Sequence, residues 1–100
     1  MPKKWRKKQK RDVRDFDGKE TPRSGGFWSF AGDVEQEKFL IESKYTDGKG
    51  YRLTKETWNK IEHEALMSGK LPMMSIQIQD TEVVILSKFD FMELLKNESN

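Results

Sequence analysis

The chain contains no cysteine. That absence excludes a disulfide framework, a thiolate zinc site and a cysteine nucleophile, and with them a stapled secreted fold or a zinc finger. No apolar run approaches the roughly 20 residues that a helix needs to span a bilayer, and the basic N-terminal stretch leads into no apolar signal-peptide core. The expectation is a cytoplasmic protein with no membrane partner. Hydrophobic residues make up only 34% of the 100, against 36% charged. A chain so short and polar has room for one small core.

Charge is abundant and unevenly spread. Residues 1–14 hold Lys3, Lys4, Arg6, Lys7, Lys8, Lys10, Arg11 and Arg14 against Asp12 alone, within an overall charge of +2, so the rest of the chain is net acidic. A basic stretch of this kind neutralises phosphates and gives salt-dependent, sequence-indifferent affinity for nucleic acid. A solubilising tail and an anionic membrane surface are the other readings. Trp5 is either a stacking ring or a packing residue.

Residues 3–16 carry no Gly or Pro and predict a helix docking through Val13 and Phe16. Asp17 to Gly26 is turn chemistry throughout, and Phe27, Trp28 and Phe30 suggest a short strand. Phe39 to Tyr45 is an apolar run bounded by polar residues, as in a central strand buried on both faces. Thr54 caps a helix to about Ser68, with Gly69 as its stop and Trp58, Ile61, Ala65 and Leu66 on its apolar face. Pro72–Ile78 and Glu82–Leu86 read as strands around a turn, Phe89–Leu95 as a helix and residues 97–100 as a frayed end. The fold class is therefore α/β or α+β: one domain with a mixed central sheet flanked by helices. It divides into a basic arm or helix at 1–16, a core at 17–96 and a disordered tail at 97–100.

On a strand, residues two apart share a face, so Glu42 and Lys44 project into one space at the end of the apolar run. Two charges placed there are costly unless paired or occupied by a ligand. If Asp33 turns toward them, two hard oxygen donors of the kind Mg²⁺ takes converge with an ammonium. Lys44 then either deprotonates a water or neutralises developing charge.

Gly32-Asp33-Val34, followed by Phe39-Leu40-Ile41-Glu42-Ser43-Lys44, resembles the catalytic signature of the PD-(D/E)XK nuclease superfamily. Pro22-Arg23-Ser24-Gly25-Gly26 resembles the Ser-Gly loop of archaeal-type Holliday-junction resolvases and small phage-encoded resolvase-like endonucleases. Lys44-Tyr45-Thr46, the helix around Trp58 and Gly69-Lys70-Leu71-Pro72 extend the likeness over most of residues 11–86. The resemblance implies a restriction-endonuclease-like core and a Mg²⁺-dependent endonuclease, with Mn²⁺ able to substitute, that cuts branched DNA as a homodimer in a bacterial or archaeal host cell. It further implies that Asp33, Glu42 and the Ser43 carbonyl ligate the metal, that Lys44 serves the water and phosphate, and that Ser24 lies near the cut. Arg23 and the basic residues Lys3, Lys4, Arg6, Lys7, Lys8 and Arg11 would contact DNA. Gly32 stands where the family often has Pro, and position 11 lacks the family's Glu. The additional acid is then Asp12, with Glu20 the competitor.

The same residues have plainer readings. Glu42 and Lys44 are also what an ordinary same-face ion pair looks like, Asp33 a turn former and Ser24-Gly25-Gly26 a connector. His63 lies between two glutamates with no second His, so it reads as a surface or packing residue rather than a zinc ligand. Trp58, Met67, Met73 and Met74 read as core. Tyr45, Lys49, Tyr51 and Arg52 are substrate contacts or a solvated turn. If the basic stretch alone does the work, the protein is a non-catalytic nucleic-acid-binding module; a nicking or restriction-like nuclease on duplex DNA is the third reading.

Overall fold

A computed structural model describes residues 4–21 and 33–99, with backbone only at Asp33 and Ser99. The elements are α1 (Lys4–Asp15), β1 (Lys19–Glu20), β2 (Asp33–Glu35), β3 (Phe39–Thr46), α2 (Lys55–Met67), β4 (Leu71–Ile78), β5 (Thr81–Ile85) and α3 (Lys88–Ser99). They form a compact α+β domain on one five-stranded mixed sheet, ordered β1-β2-β3-β4-β5. Among the described strands only the β3–β4 pair is parallel, and α2 is its crossover. The expected strand at Phe27–Phe30 lies outside the described residues.

Each face of the sheet buries its own cluster. Strand alternation sends Phe39 and Ile41 of β3 and Met73 of β4 to one side, where they join Val34 and pack against Val13 and Phe16 at the α1 end and Leu86 and Leu94 at the α3 end. On the other side Met74 and Ile76 meet Ile61 of α2, with Trp58, Tyr51, Leu53, Ile78 and Ile85 around them. The basic N-terminal segment is thus a layer of the domain: α1 lies on the sheet and buries Lys8, Gln9 and Asp12. The chain leaving α1 passes so close to β2 that a Cβ at Gly18 would sit 2.7 Å from Val34 Cγ1 and 2.8 Å from the Glu35 carbonyl oxygen. Only glycine fits this approach.

Several expectations are corrected in detail. Leu66 and Met67 are 74% and 71% exposed, although Met73 and Met74 are core. The buried stripe of α2 runs through Ile61 and Ala65, and Leu66, five residues past Ile61, lies about 140° round the helix from it. Residues 19–20 form an edge strand within the stretch read as turn chemistry. The C-terminal helix runs on to Ser99, past the point where a frayed end was expected.

Candidate functional site

The central strand sorts its charges by parity. Leu40, Glu42 and Lys44 face the α2 side, while Ile41 and Ser43 face α1. Lys44 Nζ stands 3.2 Å from Glu42 Oε1, with the two side chains 32% and 17% exposed. In the antiparallel β2–β3 ladder the backbone of Asp33 is the cross-strand partner of Glu42. That register is pinned at the turn. Gln36 N–H donates to the Phe39 carbonyl at 2.9 Å, and the Gln36 Oε1 accepts from Lys38 N and Phe39 N at 2.7 and 3.1 Å. Lys70, from the crossover, donates to the carbonyls of Gln36 and Glu37. A one-residue slip would carry Glu42 to the wrong face, and these bonds oppose it. Glu42 and Lys44 therefore lie side by side on β3, with the backbone of Asp33 directly across from Glu42 on β2. Among the described residues, no group of three or more His, Asp or Glu side chains gathers in a way that could hold a metal ion.

The two candidates for the additional acid do not join them. Asp12 lies on the α1 side, where its carboxylate accepts from Lys8 Nζ at 2.8 and 2.9 Å, from Ser43 Oγ at 2.7 Å and from Ser75 Oγ at 3.0 Å. Ser43 and Glu42 are neighbours on a strand and point to opposite faces, so the sheet separates Asp12 from Glu42. Glu20 is exposed and pairs with Val34, whose side chain belongs to the α1-side cluster. Asp12 instead answers a buried cation. Lys8 is fully buried, donates to Ser75 Oγ at 2.6 Å and lies 3.1 Å from Glu82 Oε1. Its place among the DNA-contacting residues is corrected accordingly, since an ammonium enclosed by Asp12, Ser75 and Glu82 reaches no phosphate. Sequence reasoning missed Ser75 and Glu82. The signal was Ser75, polar between Met74 and Ile76 and abreast of Ser43 in the β3–β4 register.

The remaining basic residues differ in their surroundings. Arg11 is held by Glu82 and by the Gln77 side chain. Lys4 reaches Asp47 at 3.3 Å and lies 5.8 Å above the Tyr45 ring, while Tyr45 donates its hydroxyl to Asp47 at 2.6 Å. The Tyr45 hydrogen bond, then that from Lys4, holds the Asp47 carboxyl below its ordinary 3.8. Lys4 is raised in turn, chiefly by its hydrogen bond to Asp47. Arg6 stacks over Trp5 at 5.4 Å, and Lys7 is exposed. Lys3, Arg23 and Ser24 lie outside the described residues.

Comparison of the chain with protein-family models, curated proteins and solved structures finds no match.

Proposed function

We propose that this protein is a Mg²⁺-dependent DNA endonuclease with a restriction-endonuclease-like core, hydrolysing phosphodiester bonds in branched DNA such as a Holliday junction. The observation that carries the reading is the Glu42–Lys44 pair on the central strand, with Asp33 in cross-strand register with Glu42. The order of elements, a helix, three antiparallel strands, a crossover helix and a parallel strand, supports it.

Asp33 and Glu42 would hold the Mg²⁺, or Mn²⁺ in its place. When bound, the metal supplies Lewis acidity and a water acidified for attack. Glu42 is held on a strand paired on both sides, so it adds its charge with little freedom to move. Lys44 places an ammonium next to that carboxylate, where it offsets the negative charge that builds on a phosphate under attack. Two symmetric incisions in a four-way junction need two such sites, hence two copies of the chain.

The test is cleavage of a labelled four-way junction and a matched linear duplex by wild type in Mg²⁺, by wild type in EDTA, and by Glu42→Gln in Mg²⁺. Paired incision of the junction that needs the metal and falls by at least 100-fold in Glu42→Gln is the expected result. Binding without cleavage in either Mg²⁺ or Mn²⁺ would overturn the reading and leave a nucleic-acid-binding module. Cutting of the duplex as fast as the junction would retain the nuclease and remove the branched substrate.

A further inference from the structure

Helix α1 distributes its charges unequally between its two sides. Its interior acid, Asp12, is turned into the sheet with Lys8, and Val13 and Phe16 pack on the core. On the side facing solvent, Arg6, Lys10 and Arg14 follow at four-residue steps, with Lys7 beside them, and all four are exposed. At 1.5 Å per residue the steps are about 6 Å apart. Asp15 pairs with Arg14 at 3.1 Å. Among the described residues, Lys7 and Lys10 have no carboxylate partner. Like charges three and four apart on a helix repel one another. The first turn holds no acid, so its cations also sit against the positive end of the helix dipole. With Asp12 buried, Arg6, Lys7 and Lys10 form no ion pair among the described residues, so an external anion would lower the positive potential along this stripe.

We propose that the outward face of α1, through Arg6, Lys7, Lys10 and Arg14, docks the phosphate backbone of duplex nucleic acid, on the opposite side of the sheet from Glu42 and Lys44. Only the relation to Glu42 rests on the nuclease reading; the docking surface does not. A polyanion fits this face better than a lipid surface. A helix lying in a membrane interface needs a free apolar side, and α1 spends Val13 and Phe16 on the domain core. Cations at four-residue steps that meet phosphate oxygens rather than base edges predict binding indifferent to base sequence. Because the sheet lies between the two surfaces, the stretch of backbone gripped by α1 is not the stretch presented to Glu42. A branched substrate meets both surfaces with different arms.

The experiment measures binding of a random-sequence 25-bp duplex in EDTA over a range of NaCl concentrations. It compares wild type, R6Q/K7Q/K10Q, each single substitution, and the control K55Q/K60Q/K96Q, which removes the same charge elsewhere. The triple α1 variant should flatten the plot of log K against log salt by about 2.7, and each single variant by about 0.9, with the control keeping the wild-type slope. An unchanged slope in the α1 variant would overturn the proposal. So would an equal loss in the control, absence of duplex binding by wild type, or binding to phosphatidylserine vesicles in its place. Because EDTA stops hydrolysis, failure here and failure of the nuclease reading are separate results.

Discussion

Lys8 and Lys44 each stand beside a carboxylate, yet burial gives the two pairs different consequences. Lys8 and Asp12 have side chains 0% and 2% exposed, so removing one partner strands the other in a dry environment. Lys8→Met should lower stability by about 3–5 kcal/mol in urea denaturation, and Lys8→Met combined with Asp12→Leu should recover much of that loss. Glu42 and Lys44 keep contact with water, and an ion pair so placed contributes about 1 kcal/mol or less. Lys44→Met should therefore scarcely move the urea midpoint while abolishing the cleavage proposed above, a separation that an ordinary structural pair would not produce. Asp47 is an exposed acid held by two hydrogen bonds. Its folded-state carboxyl is depressed, so its stabilising contribution is present above the unfolded value and is lost as pH falls through the lower folded one. An NMR titration should place it below 3.8, and Tyr45→Phe should move it upward, because the tyrosine hydrogen bond is the leading cause.

At the scale of elements, α2 follows from local chemistry. Thr54 Oγ1 accepts from the Thr57 N–H at 3.1 Å, satisfying one of the helix's orphan donors. At the other end Gly69 takes φ +68°, and Gly69 N and Lys70 N return to the carbonyls of Leu66 and Ala65 at 3.0 and 2.8 Å, closing a Schellman turn. A Cβ on Gly69 would meet nothing within 4 Å. Gly69→Ala should therefore cost about 1 kcal/mol from backbone conformation alone, read as a lower melting temperature. Both caps were legible because they need particular residues at fixed places. β1 was not, since two residues have no periodicity to read and pair only because Gly18 lets the chain approach β2. The extension of α3 to Ser99 was also hidden, as Asn97, Glu98 and Ser99 signal neither strong helix nor clear stop.

For the whole molecule, the place of α1 matters most. Its net charge suggests an appendage to a core beginning at residue 17, whereas the structure makes it the cover for Ile41, Ser43 and Ser75. A chain shortened to residues 17–100 would expose that cluster to water, together with two buried serines deprived of their partners. It should lack the cooperative thermal transition, followed by circular dichroism, that is expected of the full chain. Retention of a sharp transition would mean that the sheet and α2 suffice.

The amino-acid sequence by itself determined α1, the central strand, α2 with both caps and the β4–β5 pair, because side-chain periodicity and cap chemistry act over a few neighbouring residues. It also placed Glu42 and Lys44 on one face, since alternation along a strand is a local rule. Only the tertiary structure decided which residues from distant segments share a face. Asp12 and Glu42 are both acids near apolar residues, and nothing local distinguishes their roles. The pairing of β3 with β4, 32 residues apart in register, brings Ser75 alongside Ser43, and the docking of α1 brings Asp12 and Lys8 onto both. The side of the sheet on which α1 docks therefore turned one predicted metal ligand and one predicted DNA contact into the buried ion pair beneath it.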